Sequence, residues 1–234
     1  MKDIYIISEL CGQWGGSIRR AEQMILQSKM FGADAVKVQL YDTYRMPGSH
    51  REKWEYLNMS LETFLHLKEF SENLNIDFFA SAFHKDLYEW TKDCPYAKIA
   101  SMMLEFNPEL CDDIVSSGKK VFCSLGKWDN PGLPFDAGNV EYMHCVPKYP
   151  HTDLEALKSM PNEFIYPLTG YSDHSVGIDA CCVAVTRGAT VIEKHFTINH
   201  GLQSETEGAH SCSMDFEQLK SLRNFCDLYL CNVQ

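Results

Sequence analysis

The sequence predicts a (β/α)8 barrel. Short apolar, β-branched runs recur eight times, helix-patterned segments alternate with them, and 234 residues suit one barrel better than two smaller domains. The expected organisation is therefore a single catalytic domain over 1–234. A doubly wound open sheet is the alternative. It would need a glycine-rich turn after the first strand, and CGQWGG is only a weak version of one.

The strands are expected at 3–10, 35–40, 77–83, 97–101, 120–125, 140–146, 167–173 and 190–196. Helices are expected at 17–31, 60–74, 86–93, 108–117, 153–160, 177–186 and 215–230. Ser60 with Thr63 and Asn107-Pro108 start two of them, and Asp215 caps the last. Gly32, Gly118 and Gly188 follow helix ends. Between the fifth and sixth strands, WDNPGLPFDAG is too rich in Pro and Gly for a helix, so one is expected to be missing there. The long connection 41–58, with its Tyr, Trp, Arg and His, is expected to be functional.

Composition excludes several classes. A net charge of −11 argues against a nucleic-acid partner, although a few lysines in a cleft can still hold an anionic small molecule. No run of 18 apolar residues suggests a membrane span, and the N-terminus lacks the marks of a signal peptide. Ten cysteines occur without a CxxC pair, and Cys123, Cys145, Cys181 and Cys182 sit inside apolar patterns. A reducing, cytoplasmic setting is the simplest expectation.

The chemistry gathers at predicted strand ends, the face where barrels place their active sites. Glu9, Lys37, Gln39, Ser81, Lys98, Ser101, Ser124, Lys127, His144, Ser172, Asp173, His174, Glu193 and His195 all fall there. Lysines and hydroxyls suit a phosphate or carboxylate. His174 and His195 close the seventh and eighth strand patterns, and two neutral imidazoles on neighbouring strands can hold a divalent metal in an open manner. The plainer alternative is that each histidine is satisfied by a carboxylate. Glu9 can act as a general base or hold a substrate hydroxyl. Lys37 alternates with Ala35, Val36 and Val38, so it points inward, where a lysine without an anion is costly. Lys98 and Lys127 read equally well as rim charges, and His144 and Cys145 as core residues.

Three segments, GADAVKVQ (32–39), GYSDHSVG (170–177) and GATVIEKHFT (188–197), closely resemble the N-acetylneuraminate (sialic acid) synthase family. SELCGQWGG, FASAF, AKIAS, SLGK, HCVPKYP and HSCSMD add weaker matches, in order, from about residue 4 to 220. The resemblance implies a (β/α)8 barrel that condenses phosphoenolpyruvate with an N-acylated aldose such as N-acetylmannosamine, releasing phosphate. It implies a divalent metal, Mn2+ with Mg2+ or Co2+ as alternatives, held by His174 and His195. It implies that Lys37, Ser81, Lys98, Ser101 and Ser172 grip phosphoenolpyruvate, that Glu9 faces the metal-bound water and the sugar, and that Gln39 and Glu193 support the site. It also implies a homodimer.

The pattern departs in places. Gln13-Trp14 stand where the family has Asn-His, Met102-Met103-Leu104 replace a small-residue and acidic turn, and Pro147 replaces a hydroxyl or Asn at the phosphate. A sugar-contacting Gly-Pro-Asp becomes Glu207-Gly208-Ala209-His210, so Glu207 or His210 is the expected substitute for the Asp. The sequence ends at Gln234, where family members continue into an antifreeze-like domain that supplies an Arg to a partner's site. The second expectation is therefore a non-catalytic barrel, or half of a split synthase whose partner is a separate antifreeze-like protein.

Overall fold

Eight parallel strands pair in sequence order, and the first also pairs with the last, closing a barrel. The structure, a computed structural model, describes residues 4–46, 52–202 and 209–232. The strands are β1 (Tyr5–Glu9), β2 (Ala35–Leu40), β3 (Asp77–Ala82), β4 (Tyr96–Ile99), β5 (Lys120–Ser124), β6 (Val140–Cys145), β7 (Leu168–Asp173) and β8 (Val191–His195). Each lies within two residues of its expected bounds.

The helices are α1 (Ile18–Met30), α2 (Leu61–Asn73), α3 (Lys85–Tyr88), α4 (Met103–Phe106), α5 (Pro108–Ser116), α6 (Asp153–Ser159), α7 (Asp179–Thr186), α8 (Ala209–Cys212) and α9 (Phe216–Asn232). Local signals set their ends. The Ser60 side chain accepts from Thr63 N, Asn107 accepts from Leu110 N ahead of Pro108, and Asp215 accepts from Gln218 N. Gly32 and Gly188 end helices at φ of 102° and 94°, where a side chain would be strained.

Three details differ from expectation. The segment 86–93 divides into α3 and a 3-10 turn, Glu89–Thr91. Single turns at Cys11–Trp14, α4 and α8 are present although no helical period marks them. In the connection 41–58, residues 47–51 lie outside the described residues; Asn58 pins its start by accepting from Thr43 N, and Arg45 is held by Asp42 and Asp86. The described part of this connection does not line the cavity discussed below.

Residues 125–139 contain no helix, as their Pro and Gly content predicts. A side chain does the helix's work of closing the gap. The Tyr142 hydroxyl donates to Phe135 O at 2.8 Å and accepts from Phe135 N at 3.0 Å.

The barrel interior is layered. Rings of Tyr5, Phe79, Tyr96 and Phe122 fill the N-terminal end at centroid spacings of 5.3–6.3 Å. Met143 fills the middle because residue 170 is glycine: a Cβ there would sit 2.6 Å from Met143 Cγ. Above this apolar plug the inward positions become polar, and the site begins.

Candidate active site

Strand register assembles the site. Glu9 pairs with Lys37 on one side and His195 on the other, Ser81 with Lys98, and Ser172 with both Cys145 and Glu193. Residues far apart in the chain thus meet at the C-terminal mouth, around a cavity of about 490 Å3. That volume suits small organic ligands.

Of the residues to which the resemblance gives a role, Glu9, Lys37, Gln39, Lys98, Ser101, Ser172, His174, Glu193 and His195 line this cavity. Ser81 stands just behind, accepting from Lys37 Nζ at 3.2 Å. His210 does not line it. It lies in α8, buried, with Nδ1 3.0 Å from Thr197 Oγ1. Glu207, its alternative, lies outside the described residues.

Lys37 and Lys98 are at most 3% exposed, and carboxylates and hydroxyls of the chain surround their ammonium groups. Lys37 Nζ is bound to Glu9 and lies 3.6 Å from Glu193 Oε2. Lys98 Nζ donates to Ser124 Oγ at 2.7 Å and lies 3.5 Å from Glu193 Oε1. Carboxylates of the chain therefore lie beside both inward lysines. Ser172 Oγ donates to Glu193 at 3.0 Å, and Cys11 N donates to Glu9 Oε1 at 2.8 Å.

Burial and charge compete at each group. Burial pushes the Lys37 ammonium down, but Glu193 and Glu9 outweigh it and hold its pKa up. Lys98 is pushed down by burial, which Glu193 offsets only in part. Burial raises the Glu9 carboxyl despite Lys37, whereas at Glu193 two lysines and Ser172 win and lower it. With both pairs ionised, two ammonium groups face two carboxylates and the floor is electrically balanced.

The two histidines face one another at the rim, with ring centroids 5.4 Å apart. Burial holds both neutral: His174 falls to about 4 and His195 well below its ordinary value. His174 Nδ1 donates to Val146 O at 2.8 Å, which leaves its Nε2 lone pair free. The Tyr149 ring lies against His174, with centroids 3.9 Å apart and planes tilted by 34°. The two imidazoles suit a divalent cation whose other positions are filled by substrate and water. Among the described residues no group of three or more His, Cys, Asp and Glu side chains is arranged to hold a metal by itself.

The turn that carries His174 is fixed by a buried ion pair the sequence did not announce. Lys194 of β8 binds Asp173 and also donates to Ser175 O at 2.8 Å. Asp173 further accepts from Ser175 N and the Tyr171 hydroxyl.

Sequence reasoning undervalued four lining residues. Ser124 and Lys127 stand at the right strand end but the resemblance gives them no role, Tyr149 has only the HCVPKYP motif to mark it, and Cys145 reads from the sequence as a core residue. Cys145 is buried but forms part of the cavity wall, with Sγ 3.8 Å from His174 Nδ1. Strand parity alone would have found Cys145, two residues beyond inward Met143. His144 points outward, with Nε2 3.2 Å from Ser159 Oγ.

Comparison with known proteins places almost the whole chain among characterised sequences and folds. The sequence profile of the NeuB family matches residues 24–228. An uncharacterized protein of Methanocaldococcus jannaschii is 32% identical, over 94% of this chain and 69% of its own length. N-acetylneuraminate-9-phosphate synthase of Drosophila melanogaster is 27% identical, over 94% of this chain and 66% of its own. Among solved structures, the N-acetylneuraminic acid synthetase of Leptospira borgpetersenii, in complex with citrate, superposes with a TM-score of 0.85 at 28% identity. That match covers 99% of this chain and 85% of that one.

Proposed function

The chain belongs to the NeuB family, and on that premise we propose that it condenses phosphoenolpyruvate with an N-acylated aldose and water to give a nonulosonate and inorganic phosphate. The observation that carries this reading is the meeting of two buried lysines, two neutral imidazoles and a buried, proton-accepting carboxyl in one cavity. In the reaction, C3 of phosphoenolpyruvate forms a bond to the aldehyde carbon, water adds at C2, and the C2–O bond to phosphate breaks.

Lys98, Lys37 and the hydroxyls of Ser101, Ser124 and Ser172 form the anion-binding wall. Lys98 is the lysine less committed to carboxylates, with Glu193 as its one ion-pair partner among the described residues, so it is the ammonium better placed to take the phosphate. Glu9 holds a hydroxyl of the sugar, and its raised pKa suits it to carry a proton there. Gln39 and Glu193 keep the lysines and the substrate carboxylate in register.

His174 and His195 would hold a divalent cation, Mn2+ with Mg2+ or Co2+ as alternatives, which polarises the aldehyde oxygen when bound. Charge balance supports this. An enol phosphate carrying up to three negative charges enters a floor whose lysines are already matched by carboxylates, and a divalent cation offsets most of that added charge where burial makes imbalance costly.

Met102 and Phe83 add apolar surface to the same cavity, and an N-acyl methyl group has an apolar surface to pack on there. The test is phosphate release from phosphoenolpyruvate across a panel of aldoses with and without Mn2+. Turnover with an N-acylated hexosamine that needs Mn2+ is the expected result, and His174→Ala and His195→Ala should each abolish it. Binding of phosphoenolpyruvate without turnover on any aldose would instead favour a non-catalytic barrel. Activity retained in both His variants would refute the metal assignment.

A further inference from the structure

Gln13, which stands where a shorter Asn was expected from the resemblance, is fully buried in the turn Cys11–Trp14 directly after β1. Its Nε2 lies 3.2 Å from His195 Nδ1 and 3.3 Å from Ser213 Oγ, while its Oε1 is buried without a hydrogen-bond partner. A neutral imidazole has one proton to place. When Gln13 donates to Nδ1, that proton must sit on Nε2, and the ring has no lone pair left to offer a cation. When the carboxamide is turned end for end, Oε1 accepts Nδ1–H and the Nε2 lone pair becomes free. The Ser213 hydroxyl accepts from the amide nitrogen in the first of these states. His174 has no such choice, because Val146 O can only accept.

We propose that Gln13 is a positioning residue whose carboxamide selects the tautomer of His195, and that it turns when a divalent cation binds. With the amide nitrogen toward the ring, His195 keeps its proton on Nε2; when a cation takes Nε2, the amide oxygen turns to the ring and accepts Nδ1–H. This rests on the reading of His174 and His195 as a cation pair only for the turning step; tautomer selection stands without it.

The test is 15N NMR of the full chain labelled at histidine, with and without Zn2+ as a diamagnetic probe, alongside calorimetric titration with Zn2+ alone. Wild type is expected to show His195 as the Nε2–H tautomer, converting to Nδ1–H with Zn2+. Gln13→Glu, which can only accept, is expected to show Nδ1–H without metal and to bind Zn2+ at least as tightly as wild type. Gln13→Leu, of similar size, is expected to bind about 10-fold more weakly with the His174 tautomer unchanged. Finding Nδ1–H in cation-free wild type, or wild-type affinity and tautomer in Gln13→Leu, would overturn the proposal. If wild type binds no cation, the cation pair and the turning step both fall, while the cation-free spectra of wild type and Gln13→Glu still decide tautomer selection.

Discussion

Lys98 shows how one side chain can be costly to the fold and useful to the site. Burial pushes its ammonium down, and it keeps Ser124 and Glu193 within reach. Lys98→Met should leave Glu193 still paired with Lys37, so the barrel survives while the anion-binding wall loses a charge. Calorimetry is expected to show phosphoenolpyruvate bound about 100-fold more weakly, the scale of losing one partner of a desolvated charge pair. An unchanged affinity would place the phosphate elsewhere. Lys37 offers a weaker test, because its removal strands Glu9 and confounds binding with folding.

Elements set where these side chains point. The loop after β6 carries Tyr149 to the face of His174 and then enters α6 through a capping box. In that box Thr152 Oγ1 accepts from Glu155 N while Glu155 Oε2 accepts from Thr152 N. Thr152→Ala should cost about 1 kcal/mol of stability in urea unfolding. The stronger consequence is local: the loop is fixed at one end by Val146 O on His174 and at the other by this cap, so loosening the cap should be visible as altered Tyr149 ring contacts in NMR. The eight strands were legible as elements because β-branched runs and glycine stops are local signals. The turns Cys11–Trp14, α4 and α8 were not, since four residues carry no period to read.

At the scale of the whole molecule, a closed barrel with an apolar lower half supports a charged upper half. The Tyr5, Phe79, Tyr96 and Phe122 rings fill one end; Glu9, Lys37, Lys98 and Glu193 fill the other. A ligand that binds only this assembled mouth must stabilise the entire fold. Phosphoenolpyruvate at about 100 times its Kd should add ~2.7 kcal/mol to the unfolding free energy, read by denaturant titration. The same concentration should add much less to Lys98→Met protein. Equal stabilisation of both would show that the ligand does not use this mouth.

The sequence by itself determined the alternation of strand and helix, the missing helix in 125–139, and the residue types at the strand ends. Each of these is a local property, written in period, propensity and punctuation. Parity within strands even pointed Lys37 inward. Tertiary structure alone decided what those residues meet. That Lys37 and Lys98 are held by Glu9 and Glu193, that Lys194 fixes Asp173 beside His174, that Gln13 touches His195, and that His210 bonds to Thr197 away from the cavity all depend on register between strands remote in sequence. Register follows from closing all eight strands at once, which no single segment encodes.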